Sequence, residues 1–174
     1  DNMGNAVSMT SSIENAFGSR LMVGGFLLNN QLTDFSFIPE KDGKPVANHA
    51  APEKRPRSSM APTLVIDANG KIVLVIGSPG GSNIIGYVIQ TIIAALQWDL
   101  DIQSAINMPH IINRNGTTYL ESNAGLDTLI PTLTSLGHKI NLVDMTSGLQ
   151  GIRARNGLLF GGADQRREGV ALGD

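Results

Sequence analysis

The chain has 174 residues, enough for one ordinary domain or one subunit of a larger assembly and enough to bury a real core. Its 13 basic and 15 acidic side chains leave a formal charge of −2, and the pI near 5.9 agrees, so no electrostatic footprint for a nucleic-acid partner is present. At 41% hydrophobic and 16% charged the composition is globular, and the absence of cysteine excludes a disulfide framework, a thiolate metal site and a cysteine nucleophile while leaving the compartment open.

In chain order, residues 1–5 have neither a basic n-region nor an apolar h-region and read as a cut or processed end. Residues 5–10 alternate as a strand, and 21–28 form a second apolar run broken by Gly24-Gly25, so the first third is expected to be β. Residues 37–57 carry Pro39, Pro45, Pro52, Pro56 and Gly43 among many charges, which marks a long exposed loop. Residues 61–67 and 71–77 are apolar, β-branched runs joined by Asp67-Ala68-Asn69-Gly70, the chemistry of a tight hairpin. The glycine turn Gly77-Ser78-Pro79-Gly80-Gly81-Ser82 follows and leads into a helical run, 84–98, with Ser82 as its expected N-cap. At roughly 15 residues this run is short of the ~20 that span a bilayer, so it reads as a buried helix and no membrane span is expected. Helices are expected over 101–107 and 125–136, strands over 138–143 and 149–154, and a last hairpin over 154–162. Strands first and last with helices between them favour an α+β layered sandwich over a βαβ repeat, in a single domain covering 1–174.

Three segments carry candidate chemistry. Between a strand and a helix start, the 77–82 turn leaves backbone N–H groups aimed at one spot, suited to an anion or an oxyanion; a tight packing turn is the plain alternative. It is not a Walker A loop, since no Lys-Ser/Thr follows the glycines. Ser58-Ser59 beside Arg55 and Arg57 suit a carboxylate, although two adjacent serines are a weak signal. Asn29-Asn30-Gln31-Leu32-Thr33-Asp34 place amide and carboxylate groups where an amino group could be held, or form only a polar turn. His49, His110 and His138 have no second ligand at metal spacing, which argues for surface or packing roles and against a metal site. Ser-His-Asp chemistry stays open by arithmetic, without a Gly-x-Ser-x-Gly elbow. Residues 164–168, Asp-Gln-Arg-Arg-Glu, read as a solvated turn held by ion pairs.

Taken together, Gly4-Asn5-Ala6-Val7-Ser8-Met9-Thr10, Phe17-Gly18-Ser19, Leu27-Leu28-Asn29-Asn30-Gln31-Leu32-Thr33-Asp34-Phe35, Lys54-Arg55-Pro56-Arg57-Ser58-Ser59-Met60-Ala61-Pro62-Thr63 and Gly77-Ser78-Pro79-Gly80-Gly81-Ser82 resemble the small subunit of γ-glutamyltranspeptidase, in order and at family spacing. The resemblance continues through Met108-Pro109-His110 and Gly137-His138 to Ala163-Asp164-Gln165-Arg166-Arg167. It implies the N-terminal-nucleophile hydrolase fold, a four-layer αββα sandwich of which this chain is the small-subunit half, with the large subunit of the same self-cleaved precursor as partner. The family nucleophile is a Thr whose own α-amino group is the nearby base, and the resemblance places it upstream of Asp1.

Residue by residue, the resemblance implies oxyanion N–H groups from Gly80 and Gly81. It implies that Ser58 and Ser59 hold the substrate α-carboxylate, that Gln31, Asp34 and Glu14 hold its α-amino group, and that Ser12 supports the nucleophile. Glu14 stands where many members have Asn, Arg57 replaces a common apolar residue, and 37–57 matches the family's lid region without its usual Tyr. The substrate implied is a small γ-glutamyl amide such as glutathione, with an amino acid, peptide or water as acceptor, no cofactor, and a periplasmic or secreted location. A related acylase of the cephalosporin (glutaryl) or poly-γ-glutamate-processing kind, and a catalytically incomplete fragment with apolar surface exposed, are the alternatives.

Overall fold

The structure, a computed structural model, describes residues 1–173. The chain divides into two compact units, Ser11–Ser58 on the one hand and Asp1–Thr10 with the residues from Ser59 onward on the other.

Ser11–Ser58 is built from turns. Strands β1 (Met22–Val23) and β2 (Phe26–Leu27) pair antiparallel around Gly24-Gly25, whose φ values of 60° and 86° give the turn its hairpin twist. A 3-10 turn follows at Gln31–Asp34, and β3 (Glu40–Lys41) pairs with β4 (Lys44–Pro45) around Asp42-Gly43, inside the expected 37–57 loop. No residue of this unit is buried, so hydrogen bonds and turn geometry, not a core, define its conformation.

The other unit holds the core. Strands β5 (Thr63–Ile66) and β6 (Ile72–Gly77) form the expected hairpin: Asp67 Oδ1 accepts from the N–H groups of Asn69 at 2.8 Å and Lys71 at 2.9 Å, and Gly70 takes φ 81°. Helix α1 (Ile84–Leu96) follows the glycine turn, and α2 (Ile102–Asn107) is capped by Asp101, which accepts from Ser104 N at 3.0 Å. Next come β7 (Ile111–Asn113), β8 (Thr118–Glu121), α3 (Ile130–Ser135), β9 (Ile140–Val143), β10 (Gln150–Arg155) and β11 (Leu158–Ala163). Four strands form a sheet in the order β11-β10-β6-β5, and three form a second in the order β7-β8-β9, its β8–β9 pair parallel.

Helices α1 and α2 cover one face of the larger sheet, with Leu74, Ile76, Tyr87, Val88, Ile102 and Ile106 among the buried residues. The close approach of α2 depends on the cross-strand pair Gly151 and Gly162. A Cβ on Gly162 would lie 2.9 Å from Ile106 Cδ1 and 3.2 Å from the Gln103 backbone nitrogen. Leu64, Ile152 and Leu159 alternate onto the opposite face, where they are 42%, 46% and 73% exposed.

Four expectations are corrected. Residues 5–10 form no strand: they make no backbone ladder with a described strand, and Ser8 Oγ instead donates to the Ile76 carbonyl at 2.9 Å. Ser82 does not cap α1. It lies inside a 3-10 turn, Gly81–Asn83, its hydroxyl takes the Arg114 guanidinium, and the cap position belongs to Asn83. β7 and β8, unforeseen between the helices, are too short for alternation to register. Finally, α1 is buried on one side only, for Ile85, Ile89 and Ile93 are exposed on the other. No helix among the described residues is long and apolar enough to cross a membrane.

Gly162→Val is expected to lower unfolding stability by about 1–3 kcal/mol through overpacking against α2. Gly116→Ala, where a Cβ meets nothing within 4 Å, should stay close to wild type in the same thermal denaturation measurement. Equal melting temperatures for both would refute the close-approach argument.

Candidate active site

The turn after β6 has the geometry that the sequence suggests. Gly80 adopts φ 135° and Gly81 φ 56°, both in the region that favours glycine. A Cβ on Gly80 would sit 2.6 Å from Tyr87 Cε2, so both backbone and neighbour exclude a side chain there. The N–H groups of Gly80 and Gly81 donate to no described residue, while the Gly80 carbonyl accepts from Asn83 N at 3.2 Å. Two adjacent unbonded N–H groups just past the end of a strand are what an anionic oxygen requires.

Ser11–Ser58 brings four of the expected residues into one polar cluster. Ser12 Oγ accepts from Glu14 N at 2.8 Å, and Glu14 is held at φ 71°, a strained conformation for a residue with a side chain. Asn30 Nδ2 donates to Glu14 Oε2 at 2.7 Å, and Asn30 Oδ1 accepts from Asn15 N at 3.0 Å. Gln31 Nε2 donates to Asp34 Oδ2 at 2.7 Å, and Asn48 Nδ2 donates to the Asp34 carbonyl at 2.6 Å. Asn48 Oδ1 in turn accepts from Arg57 N at 2.9 Å, tying the cluster to the stretch that ends in Ser58. Ser58 is exposed and belongs to this unit, whereas Ser59, half-buried, begins the run that enters β5 in the other. Sequence reading took Asn30 only as one amide of the 29–34 stretch and did not single out Asn48; Asn is common in turns, so only their bonding partners mark them.

The 164–168 segment is a turn held by ion pairs, with Gln165, Arg167 and Glu168 exposed, but Asp164 is buried and Arg166 half-buried rather than solvated. Asp164 is 1% exposed and its Oδ2 accepts from Ser147 Oγ at 2.5 Å and Leu149 N at 3.1 Å, while Oδ1 accepts from Arg166 N at 2.9 Å and Arg166 Nη1 at 3.1 Å. Arg166 also donates to both carboxylate oxygens of Glu121, from Nε at 2.5 Å and Nη2 at 2.8 Å. Burial pushes the carboxyls of Asp164 and Glu121 up, but these donors outweigh it and hold both below the ordinary carboxylate range.

His110, fully buried, completes the network with Nε2 2.7 Å from Ser147 Oγ. Ser147 gives its one hydroxyl proton to Asp164, so His110 Nε2 carries a proton and donates it, leaving Nδ1 an unpartnered acceptor. With the serine in the middle and its proton already committed to the carboxylate, this is not a nucleophilic triad. Burial first, and the Arg166 charge second, push the His110 imidazole down to about 4, against the opposing charges of Glu121 and Asp164.

A family model for γ-glutamyltranspeptidase matches residues 1–174. The glutathione hydrolase proenzyme of Bacillus subtilis (strain 168) is 38% identical over 178 residues, which cover 99% of this chain and 29% of that protein. A γ-glutamyltranspeptidase structure from Helicobacter pylori aligns with a TM-score of 0.85 at 33% identity over 96% of each chain. One from Pseudomonas nitroreducens, in complex with L-DON, aligns with a TM-score of 0.87 at 30% identity over 100% of this chain and 96% of that one. The architecture is therefore α+β and that of an N-terminal-nucleophile hydrolase. The chain belongs to the γ-glutamyltranspeptidase family. It spans under a third of the length of the curated relatives it matches first.

Because His110 is depressed in the folded state while an unfolded imidazole titrates near 6.5, stability is complete above pH 6.5 and falls as the pH drops toward 4. The expected loss between pH 7 and pH 5 is about 2 kcal/mol. His110→Gln should flatten this dependence in denaturant unfolding followed at both pH values; an unchanged slope would assign it to another group.

Proposed function

We propose that this chain is the small-subunit portion of a γ-glutamyl hydrolase/transferase. The observation that carries this reading is the amide-bonded cluster in which Asn30 and Gln31 hold two carboxylates, Glu14 and Asp34. Acceptors of this kind suit the α-ammonium group of a free γ-glutamyl head, and an acyl substrate without an amino group would leave them unmatched. Ser58 and Ser59 are assigned to the α-carboxylate at the other end of the zwitterion. Gly80 and Gly81 are assigned to the oxyanion, on the strength of their unbonded N–H groups.

In this scheme the hydroxyl of the Thr upstream of Asp1 attacks the γ-carbonyl carbon while the α-amino group of that Thr accepts its proton. The tetrahedral oxyanion forms against the Gly80 and Gly81 N–H groups, the C–N bond breaks, and the amine leaves with the proton. Water or the amino group of an amino acid or peptide then attacks the γ-glutamyl ester and releases the Thr hydroxyl. Ser12 is assigned to supporting that Thr, and 37–57, with its β3–β4 hairpin, to a lid-like loop. Glutathione and related γ-glutamyl amides are the substrate class, and a periplasmic or secreted location accompanies it.

The partner is the large subunit of the same precursor. The apolar sheet face carrying Leu64, Ile152 and Leu159 supports this, because a four-layer sandwich requires a second sheet against it.

The test uses the purified two-subunit product of the full-length precursor and follows anilide release from γ-glutamyl-p-nitroanilide with and without glycylglycine. Turnover that rises with glycylglycine identifies a transferase, and turnover indifferent to it a hydrolase. Asp34→Ala is expected to raise KM at least ~10-fold by removing a charge-assisted partner of the α-ammonium. Full activity in that variant would remove Asp34 from the substrate site, and equal turnover of a glutaryl anilide would favour the acylase reading.

A further inference from the structure

The buried network of His110, Ser147 and Asp164 touches no surface, has no catalytic role in the scheme above, and yet leads by contact to the glycine turn. Three constraints converge on that turn from within its unit. Ser78, 2% exposed, accepts from Gly148 N at 3.2 Å and donates to the Pro79 carbonyl at 2.7 Å. The Pro79 ring lies against Gly148, where a Cβ would come within 2.7 Å of Pro79 Cγ. Gly80 rests on the Tyr87 ring, which meets the His110 ring at a centroid distance of 4.3 Å and a tilt of 42°.

Gly148 is flanked in sequence by the two residues that Asp164 holds. Ser147 Oγ and Leu149 N both bond to Asp164 Oδ2, and Ser147 fixes the His110 ring through Nε2. One carboxylate oxygen thus sets the direction of the Gly148 N–H, which holds Ser78, and the orientation of the imidazole behind Tyr87, which supports Gly80. A turn with two consecutive positive-φ glycines has wide conformational freedom, and N–H groups stabilise an oxyanion only when they are aimed in advance.

We propose that Ser78 and the His110–Ser147–Asp164 chain are positioning residues that fix the aim of the Gly80 and Gly81 N–H groups. This rests on the reading that those groups hold the oxyanion. The positioning residues act on transition-state stabilisation and leave recognition of the γ-glutamyl head to Glu14, Gln31, Asp34, Ser58 and Ser59. Loss of either hydroxyl, Ser78 or Ser147, therefore lowers kcat and leaves KM in place.

The experiment compares Ser147→Ala and Ser78→Ala with Asp34→Ala in the mature two-subunit enzyme, measuring kcat and KM for γ-glutamyl-p-nitroanilide together with melting temperature. The expected result is a fall in kcat of between about 10- and 100-fold in both serine variants with KM within about 2-fold, against a KM defect in Asp34→Ala. Ser78→Ala leaves the Asp164 contacts intact, so it decides the matter if Ser147→Ala does not mature. Unchanged kcat in matured serine variants, or kcat and KM changing together in proportion to melting temperature, would overturn the positioning role alone. Absence of turnover in the matured wild-type enzyme would overturn the underlying reading as well.

Discussion

Asp164 is a carboxylate with almost no contact with water, and an uncompensated charge in that position would cost several kcal/mol. Four donors compensate it: the Ser147 hydroxyl, the backbone N–H groups of Leu149 and Arg166, and the Arg166 guanidinium. Each comes with a geometric requirement. The Leu149 bond fixes the entry to β10, the Arg166 bonds close the segment after β11, and the second arm of Arg166 reaches Glu121 at the end of β8. Satisfying one anion therefore ties the four-stranded sheet to the three-stranded one. Removing a single donor leaves the others around a charge that burial disfavours, which makes the network cooperative.

The elements that were legible in the sequence are those whose cause is local. The β5–β6 hairpin follows from β-branched runs around Asp67-Ala68-Asn69-Gly70, and the Asp67 side chain makes the bonds that such a turn implies. Helix α2 starts at an Asp cap and stops before Pro109, and the glycine turn announces itself by composition. The burial of Asp164 and Arg166 is not legible locally, because four charged residues in five resemble a solvated turn. The groups that bury them, Ser147 and Glu121, lie 17 and 45 residues away along the chain from their partners Asp164 and Arg166. Residues 5–10 show the reverse failure, a strand pattern that pairs with no described strand. The clustering of Glu14 with Gln31 and Asp34 came from resemblance, not periodicity, since the bond that links Glu14 to this stretch passes through Asn30, 16 residues on.

The two units differ in what stabilises them. One has a core in which Leu74, Ile76, Ile106 and Leu149 are essentially inaccessible; the other, Ser11–Ser58, has no buried residue and keeps Phe17, Phe26 and Phe37 exposed. A segment without a core has little apolar burial to oppose the entropy of ordering its backbone. Its conformation rests on side-chain hydrogen bonds such as Asn30 to Glu14 and Gln31 to Asp34, and these are the bonds that arrange the proposed head-group site. Glu14, Gln31 and Asp34, proposed to read the α-amino group, thus occupy the part of the chain with least intrinsic stability, where binding sites are commonly drawn from.

The glycine turn has the opposite setting. The groups proposed to stabilise charge there are backbone N–H groups, which have no side chain to adjust, so their placement must be imposed by the surroundings. Tyr87 beneath Gly80 and Gly148 against Pro79 impose it from a core that tolerates no added atom at either glycine. In the proposed function, recognition of the head group by a coreless segment and stabilisation of the oxyanion by an over-determined turn are complementary solutions, because binding tolerates small adjustments and transition-state stabilisation does not.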